Sequence, residues 1–230
     1  MKKLTKRLSS ATKQIIKESY DSSTAITLAK KLATAKFTES MEAHIWLNLD
    51  PKQANQNLRT TVMLPNGTGK EIKIAVLAAI DKHPECLEAG ANIVGENDLF
   101  DEINKGQINF DILLTTPDMM PKLTKLGKVL GPRKLMPSAK AGTVVTDLGK
   151  AVQSFKTGKT ECRLDKNGIV HMVFGNAKYS EEQLLENLLV IFNTIKQNKP
   201  SGIKNNYVNS IYICSTMGPS IKINLNSTPL

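Results

Sequence analysis

A chain of 230 residues, 40% apolar and 23% charged, has the composition of an ordinary folded protein and the length for two modest domains, so disorder is excluded as the source of its charge. The formal charge is +10, from 31 Lys and Arg against 21 Asp and Glu, an excess that attracts polyanions and puts nucleic acid first among expected partners. No apolar run approaches the roughly 20 residues that cross a bilayer, and Met1 to Ser10 lacks the apolar centre of a signal peptide, so neither secretion nor a membrane partner is expected.

The chain opens on a basic arm, with Lys2, Lys3, Lys6, Arg7, Lys13 and Lys17 all preceding the first acid, Glu18. Such an arm stays solvated unless it lies along a phosphate backbone. Ser22 or Ser23 caps a predicted helix in which Ala25, Leu28, Ala29 and Leu32 form one stripe, ending near Lys36. EAHIWLNL (42–49) alternates strictly and predicts a half-buried strand with Ala43, Ile45, Leu47 and Leu49 inward. RTTVML (59–64) and EIKIAVL (71–77) flank PNGTG (65–69), which reads as a hairpin or a hinge.

From about Ala78, short apolar strands alternate with helical patterns: ANIVG (91–95), a helix over 96–105, FDILLTT (110–116), a helix beyond Pro117, GTVVT (142–146) and a helix over 147–156. That alternation predicts an open, mainly parallel sheet covered by helices. KTECRLD (159–165) and IVHMVFG (169–175) read as a second hairpin around Asn167-Gly168. A long amphipathic helix carries Leu184, Leu185, Leu188, Leu189, Ile191, Phe192 and Ile195, and NSIYICSTMG (209–218) reads as a last strand. The overall class is α/β. The simplest assembly of these parts is an αβ domain from both chain ends (1–67 and 159–230), with the βα-rich segment (68–158) inserted through two glycine-containing crossings near Gly67, Gly69 and Gly158.

Catalytic chemistry has no support. TGKT (157–160) ends like a phosphate-binding loop, but its first glycine should stand at 153, which is Gln153, and Gly69-Lys70 fails the same test at Leu64 and Glu71. No nucleophile elbow or zinc-protease motif occurs, and no catalytic residue is assigned. Cys86, Cys162 and Cys214 lie far apart, which predicts a reducing compartment and no disulfide framework. His83 and Cys86 have no neighbours to complete a metal shell, so neither metal nor cofactor is expected.

The densest basic signal is KLGKVLGPRKLMPSAKAGTV (125–144), too rich in glycine and proline for a helix. Glycines let backbone amides approach an anion and prolines stiffen the loop, so Lys125, Lys128, Arg133, Lys134 and Lys140 are presented on a surface suited to phosphates.

This stretch resembles the signature of the ribosomal protein L-one family. Further blocks extend the resemblance over essentially the whole chain: Lys3 to Arg7, KLATAKF (31–37), LDPKQANQNLRTTVMLPNGTGK (49–70), FDILLTTPDMM (110–120), DKNGIVH (165–171) and STMGPSI (215–221). Cyanobacterial and plastid members look most similar. The resemblance implies a constituent of the large ribosomal subunit, in which an α+β domain (1–67 and 159–230) grips the stalk element of large-subunit rRNA and an inserted Rossmann-like three-layer αβα domain (68–158) moves near the exit-site tRNA on a hinge at Gly67, Gly69 and Gly158. It implies that Lys36, Phe37, Ser40, His171, Ser210, Thr216, Met217 and Gly218 face the rRNA, and that the cations of 125–144 face RNA or tRNA. It extends to release of deacylated tRNA and to repression of the protein's own mRNA, and it suggests a plastid ribosome first and the bacterial cytoplasm second.

These residue types suit RNA: Lys36 can neutralise a phosphate, Phe37 can stack, and the hydroxyls of Ser40 and Thr216 can meet a 2′-OH. On the residues alone, Phe37 would serve equally as a core aromatic and His171 as a strand histidine. A non-ribosomal nucleic-acid-binding regulator stays open as the alternative. One departure concerns Lys134, which stands where the family pattern has glycine; a left-handed backbone there would cost a lysine on the order of 1 kcal/mol.

Overall fold

The chain divides into two units, Met1–Gly69 with Glu161–Leu230 and Lys70–Thr160. The computed structural model describes residues 5–200 and 206–225, so Lys2 and Lys3 of the basic arm lie outside them.

In the first unit, strand β1 (Ser40–Leu47) keeps the predicted alternation, burying Met41, Ala43, Ile45 and Leu47. It is an interior strand of a four-stranded antiparallel sheet ordered β7 (Ile169–Asn176), β1, β8 (Val208–Ser215), β9 (Ile221–Ile223). Two helices cover the inward face, α2 (Ser22–Leu32) and α8 (Glu181–Gln197). Helix α8 starts at a capping box, with the Ser180 hydroxyl accepting from the Gln183 amide, and buries Leu184, Leu188, Ile191, Phe192 and Ile195. The opposite sheet face carries Glu42, His44 and Trp46 and is open, with Trp46 half exposed.

Several expectations change here. Helix α2 ends at Leu32 instead of Lys36, and its cap position is Asp21 instead of a serine. It stops because Ala33 leaves helical geometry and the Ala35 amide donates to the Glu39 carboxylate at 2.8 Å, taking it out of the helical ladder. The basic arm contains a short helix, α1 (Lys6–Thr12), which has no buried residue and so no apolar stripe to betray it. Residues 59–77 form no hairpin: β2 (Arg59–Met63) pairs with β6 (Lys159–Arg163), whereas β3 (Ile74–Leu77) belongs to the second unit's sheet. The expected hairpin at 159–175 shrinks to one bridge, Leu164 to Val170, because β6 and β7 are each drawn into different sheets. The strand over 209–218 is followed by another, β9.

Inside this core lies one buried amide. Asn187 is fully buried; its Nδ2 donates to the carbonyls of Phe174 at 2.8 Å and Gly67 at 3.0 Å, and its Oδ1 accepts from the Asn66 amide at 3.1 Å. A single side chain thus ties the turn after β2 to β7 and α8.

The second unit is a three-layer αβα sandwich around a parallel sheet ordered β4 (Ile93–Gly95), β3, β5 (Ile112–Thr115). All four residues of β3 are buried. Ile74 and Val76 pack with α3 (His83–Glu88) and α7 (Leu148–Thr157), and Ala75 and Leu77 with α4 (Asn97–Asn104), α5 (Met120–Thr124) and α6 (Gly127–Leu130). A central parallel strand covered on both faces reads as a continuous apolar run. Helices α4 and α7 fall within a residue of their predicted limits. GTVVT yields only a bridge from Val144 to Thr115, and α3 was not foreseen, its six residues being too few to show a period.

The basic stretch is also not uniformly loop. Lys128 lies on α6 and Lys140 in a 3-10 turn, Ala139–Ala141. Helix α6 closes as a Schellman turn: the Lys134 amide donates to the Gly131 carbonyl at 3.0 Å and the Leu135 amide to Leu130 at 3.1 Å. That closure needs a left-handed residue, and Lys134 supplies it at φ 60°, the one non-glycine with positive φ among the described residues. Replacing Lys134 with glycine is expected to stabilise this unit by about 1 kcal/mol, raising its melting midpoint by roughly 4–8 °C in calorimetry. A lower midpoint would show that the lysine's conformation carries no strain.

Candidate nucleic-acid interface

At the start of β1, one buried carboxylate organises two loops. Glu39 is 2% exposed; one oxygen accepts from the Ala35 amide at 2.8 Å and the other from the Met217 amide at 2.9 Å. Burial pushes this carboxyl up, but the two amides and the Arg7 guanidinium pull it further down, so it lies below the usual glutamate range. The Thr216 amide donates to the Ser40 carbonyl at 3.0 Å, and the Ser40 amide to the Thr216 hydroxyl oxygen at 3.0 Å. Arg7 donates to the Met217 carbonyl at 3.1 Å. Gly218 closes the turn by donating to the Ser215 carbonyl at 3.0 Å, and a Cβ there would sit 2.4 Å from the Ser215 hydroxyl.

This corner therefore presents two large apolar side chains on fixed backbone, Phe37 at 55% and Met217 at 52% exposure, beside the exposed cations Lys36 and Arg7. Phe37 is not a core aromatic. The structure brings Lys36, Phe37, Ser40, Thr216, Met217 and Gly218 together through Glu39. Arg7 and Glu39 were missed as members: Arg7 was visible only as one cation of an arm, and Glu39 lacked any motif.

His171 and Ser210 lie further along the sheet, opposite His44 and Trp46 of β1. His171 is exposed and Ser210 only 9% exposed. The two imidazoles meet edge to face with Nδ1 atoms 2.8 Å apart, while His44 Nε2 lies 3.3 Å from Cys214 Sγ and 3.8 Å from Glu42 Oε2. Burial and the neighbouring His171 lower the His44 pKa, against the opposing pull of Glu42. Burial, aided by Glu42, pushes the Cys214 thiol up to about 11. Sequence showed His44 on the outward face of its strand, but not which strands flank it.

In the second unit, Lys125, Lys128, Arg133, Lys134 and Lys140 are all exposed, and none is paired with a carboxylate among the described residues. The expected hinge glycines all have positive φ, Gly67 at 65°, Gly69 at 75° and Gly158 at 125°, the last ending α7. His83 bonds the Ala78 carbonyl at 3.0 Å, and Cys86 is buried.

The model of the Ribosomal protein L1p/L10e family matches residues 29–219. The chain is 54% identical over 226 residues to the large ribosomal subunit protein uL1 of Prochlorococcus marinus (strain NATL1A), covering 98% of this chain and 96% of the relative. It is 54% identical over 225 residues to the uL1 of Synechococcus sp. (strain CC9311), covering 98% and 96%, and 52% identical over 227 residues to that of Synechococcus sp. (strain CC9605), covering 99% and 97%.

Proposed function

We propose, on the premise that the chain belongs to the ribosomal protein L1p/L10e family, that its first unit anchors the protein to the stalk element of large-subunit rRNA. The protein is a structural, non-enzymatic constituent of the large ribosomal subunit. The observation that carries the rRNA reading is the Glu39 clamp, which fixes Phe37 and Met217 outward beside Lys36 and Arg7. Exposed apolar side chains on rigid turns stack on unpaired bases or riboses, cations neutralise phosphates, and the hydroxyls of Ser40 and Thr216 meet 2′-OH groups. His171 and Ser210 extend this face along the open sheet.

The cations at 125–140, which have no carboxylate partner among the described residues, suit a second RNA surface, and we assign them to the exit-site tRNA, whose release the second unit assists. Both chain crossings between the units fall beside glycines, which supports a hinge at Gly67, Gly69 and Gly158. A message that imitates the rRNA element would compete for the Glu39 corner, which is how repression of its own mRNA would operate. Its place is the ribosome; the cyanobacterial relatives and the Lys-, Asn- and Ile-rich composition support a plastid ribosome.

The deciding experiment is a salt titration of binding to the stalk rRNA element, with duplex DNA of equal charge as competitor. RNA should win by roughly a thousandfold, a typical specific-over-nonspecific margin. A Phe37→Ala/Met217→Ala variant should lose about thirtyfold of the RNA affinity with the salt slope unchanged, because it removes stacking and no charge. Equal binding of RNA and DNA would reduce the site to generic polyanion attraction.

A further inference from the structure

We propose that Glu42, His44 and Cys214 form a zinc(II) site on the open face of the four-stranded sheet. Glu42 and His44 lie two residues apart on one face of β1, and Cys214 is the direct cross-strand partner of Glu42 on β8. Their donor atoms lie within 4.8 Å of one another, His44 Nε2 being 3.3 Å from Cys214 Sγ and 3.8 Å from Glu42 Oε2. Around a tetrahedral zinc with bonds of about 2.0–2.3 Å, neighbouring donors sit about 3.4–3.6 Å apart. The three side chains therefore need only small rotations to share one ion.

A second observation concerns the ring that would bind it. Asp165 is held by the Asn167 and Ile169 amides at 2.8 and 2.7 Å, and its other oxygen lies 3.4 Å from His171 Nε2. With the His171 proton on Nε2 facing that carboxylate, His171 Nδ1 keeps a lone pair, which accepts the Nδ1 proton of His44 across 2.8 Å. The remaining nitrogen of His44, Nε2, then presents its lone pair between Glu42 and Cys214. An outer partner that fixes the tautomer of a liganding histidine is the usual companion of a zinc site.

Imidazole, carboxylate and thiolate together match zinc better than magnesium or calcium, which prefer oxygen alone. All three side chains are half buried, leaving a fourth position for water or another ligand. On binding, the Cys214 S–H bond breaks, its proton goes to solvent, and the sulfur lone pair forms the metal bond. The site does not rest on the rRNA reading, since the ion binds the sheet with or without RNA.

Cobalt(II) is the direct probe. Metal-free full-length protein titrated with Co2+ should bind one equivalent, with a near-ultraviolet thiolate-to-cobalt absorption and visible bands of tetrahedral cobalt, all erased by one equivalent of Zn2+. Cys214→Ser should abolish the thiolate absorption with the near-ultraviolet dichroism of the fold intact, and His171→Ala should weaken zinc ten- to hundredfold. No thiolate band in the wild-type protein, or a band surviving Cys214→Ser, would overturn the site. Unchanged zinc affinity in His171→Ala would overturn the tautomer relay.

Discussion

Replacing Asn187 with leucine lowers the unfolding free energy of the first unit by about 4 kcal/mol. Leucine keeps the asparagine's branched outline and is the bulkier side chain, so no cavity accounts for the loss. What changes is the pairing: the carbonyls of Phe174 and Gly67 lose a donor and the Asn66 amide loses its acceptor, all around a fully buried side chain. An orphaned buried group such as the Phe174 carbonyl costs about 1–3 kcal/mol, and the half-buried Gly67 carbonyl and Asn66 amide, together with the bulk of leucine in a filled core, add the rest. The measurement is convenient because the single tryptophan and all four tyrosines lie in the first unit, so fluorescence in urea follows that unit alone. The midpoint should fall with an unchanged slope. A loss below about 1 kcal/mol would mean that water or a relaxed backbone takes over the pairing.

Glu39→Ala comes next, at about 3 kcal/mol, and it affects two properties at once. The amides of Ala35 and Met217 lose a charged acceptor, for which hydrogen bonds are worth about 1.5–3 kcal/mol each before relaxation. Glutamine is not a remedy, because its NH2 faces one of the two amides donor to donor. Because the folded-state pKa lies below the ordinary 4.5, the carboxylate contributes its full stability above that value and loses it as pH falls through the folded pKa. Wild-type stability should therefore drop below about pH 4.5 more steeply than that of Glu39→Gln. Both variants should also weaken stalk rRNA although every proposed contact residue is intact, since the turn carrying Met217 is no longer held. Undiminished RNA binding in a folded Glu39→Ala protein would separate the clamp from the interface.

The sequence was most legible where periodicity is strong. β1, α4, α7 and α8 could be drawn from spacing because each buries one regular face. Partners were not legible: β2 and β6 were each assigned to a neighbour in sequence, and the structure pairs them with each other across about a hundred residues. The short helices α1 and α3 carry too few turns to show a stripe. The same blindness to distance affects the site. The resemblance supplied Ser40, Thr216, Met217 and Gly218, but nothing in the chain announced Glu39, whose role is to hold backbone. Metal ligands were sought around His83 and Cys86, three residues apart, whereas the cluster found here draws on positions 42, 44 and 214.

The order of the four-stranded sheet also sets a timetable. His44 on β1 meets a β7 partner made 127 residues later and a β8 partner made 170 residues later. At roughly 5–20 residues per second, a growing chain carries this strand without its second neighbour for roughly 10–30 seconds. Meanwhile β3, β4 and β5, all between Ile74 and Thr115, have every pairing they need close at hand. The inserted unit can therefore close during translation while the unit that encloses it waits. The Glu39 corner forms only after residues 216–218 have left the exit tunnel, so it is completed well after the inserted unit's own sheet.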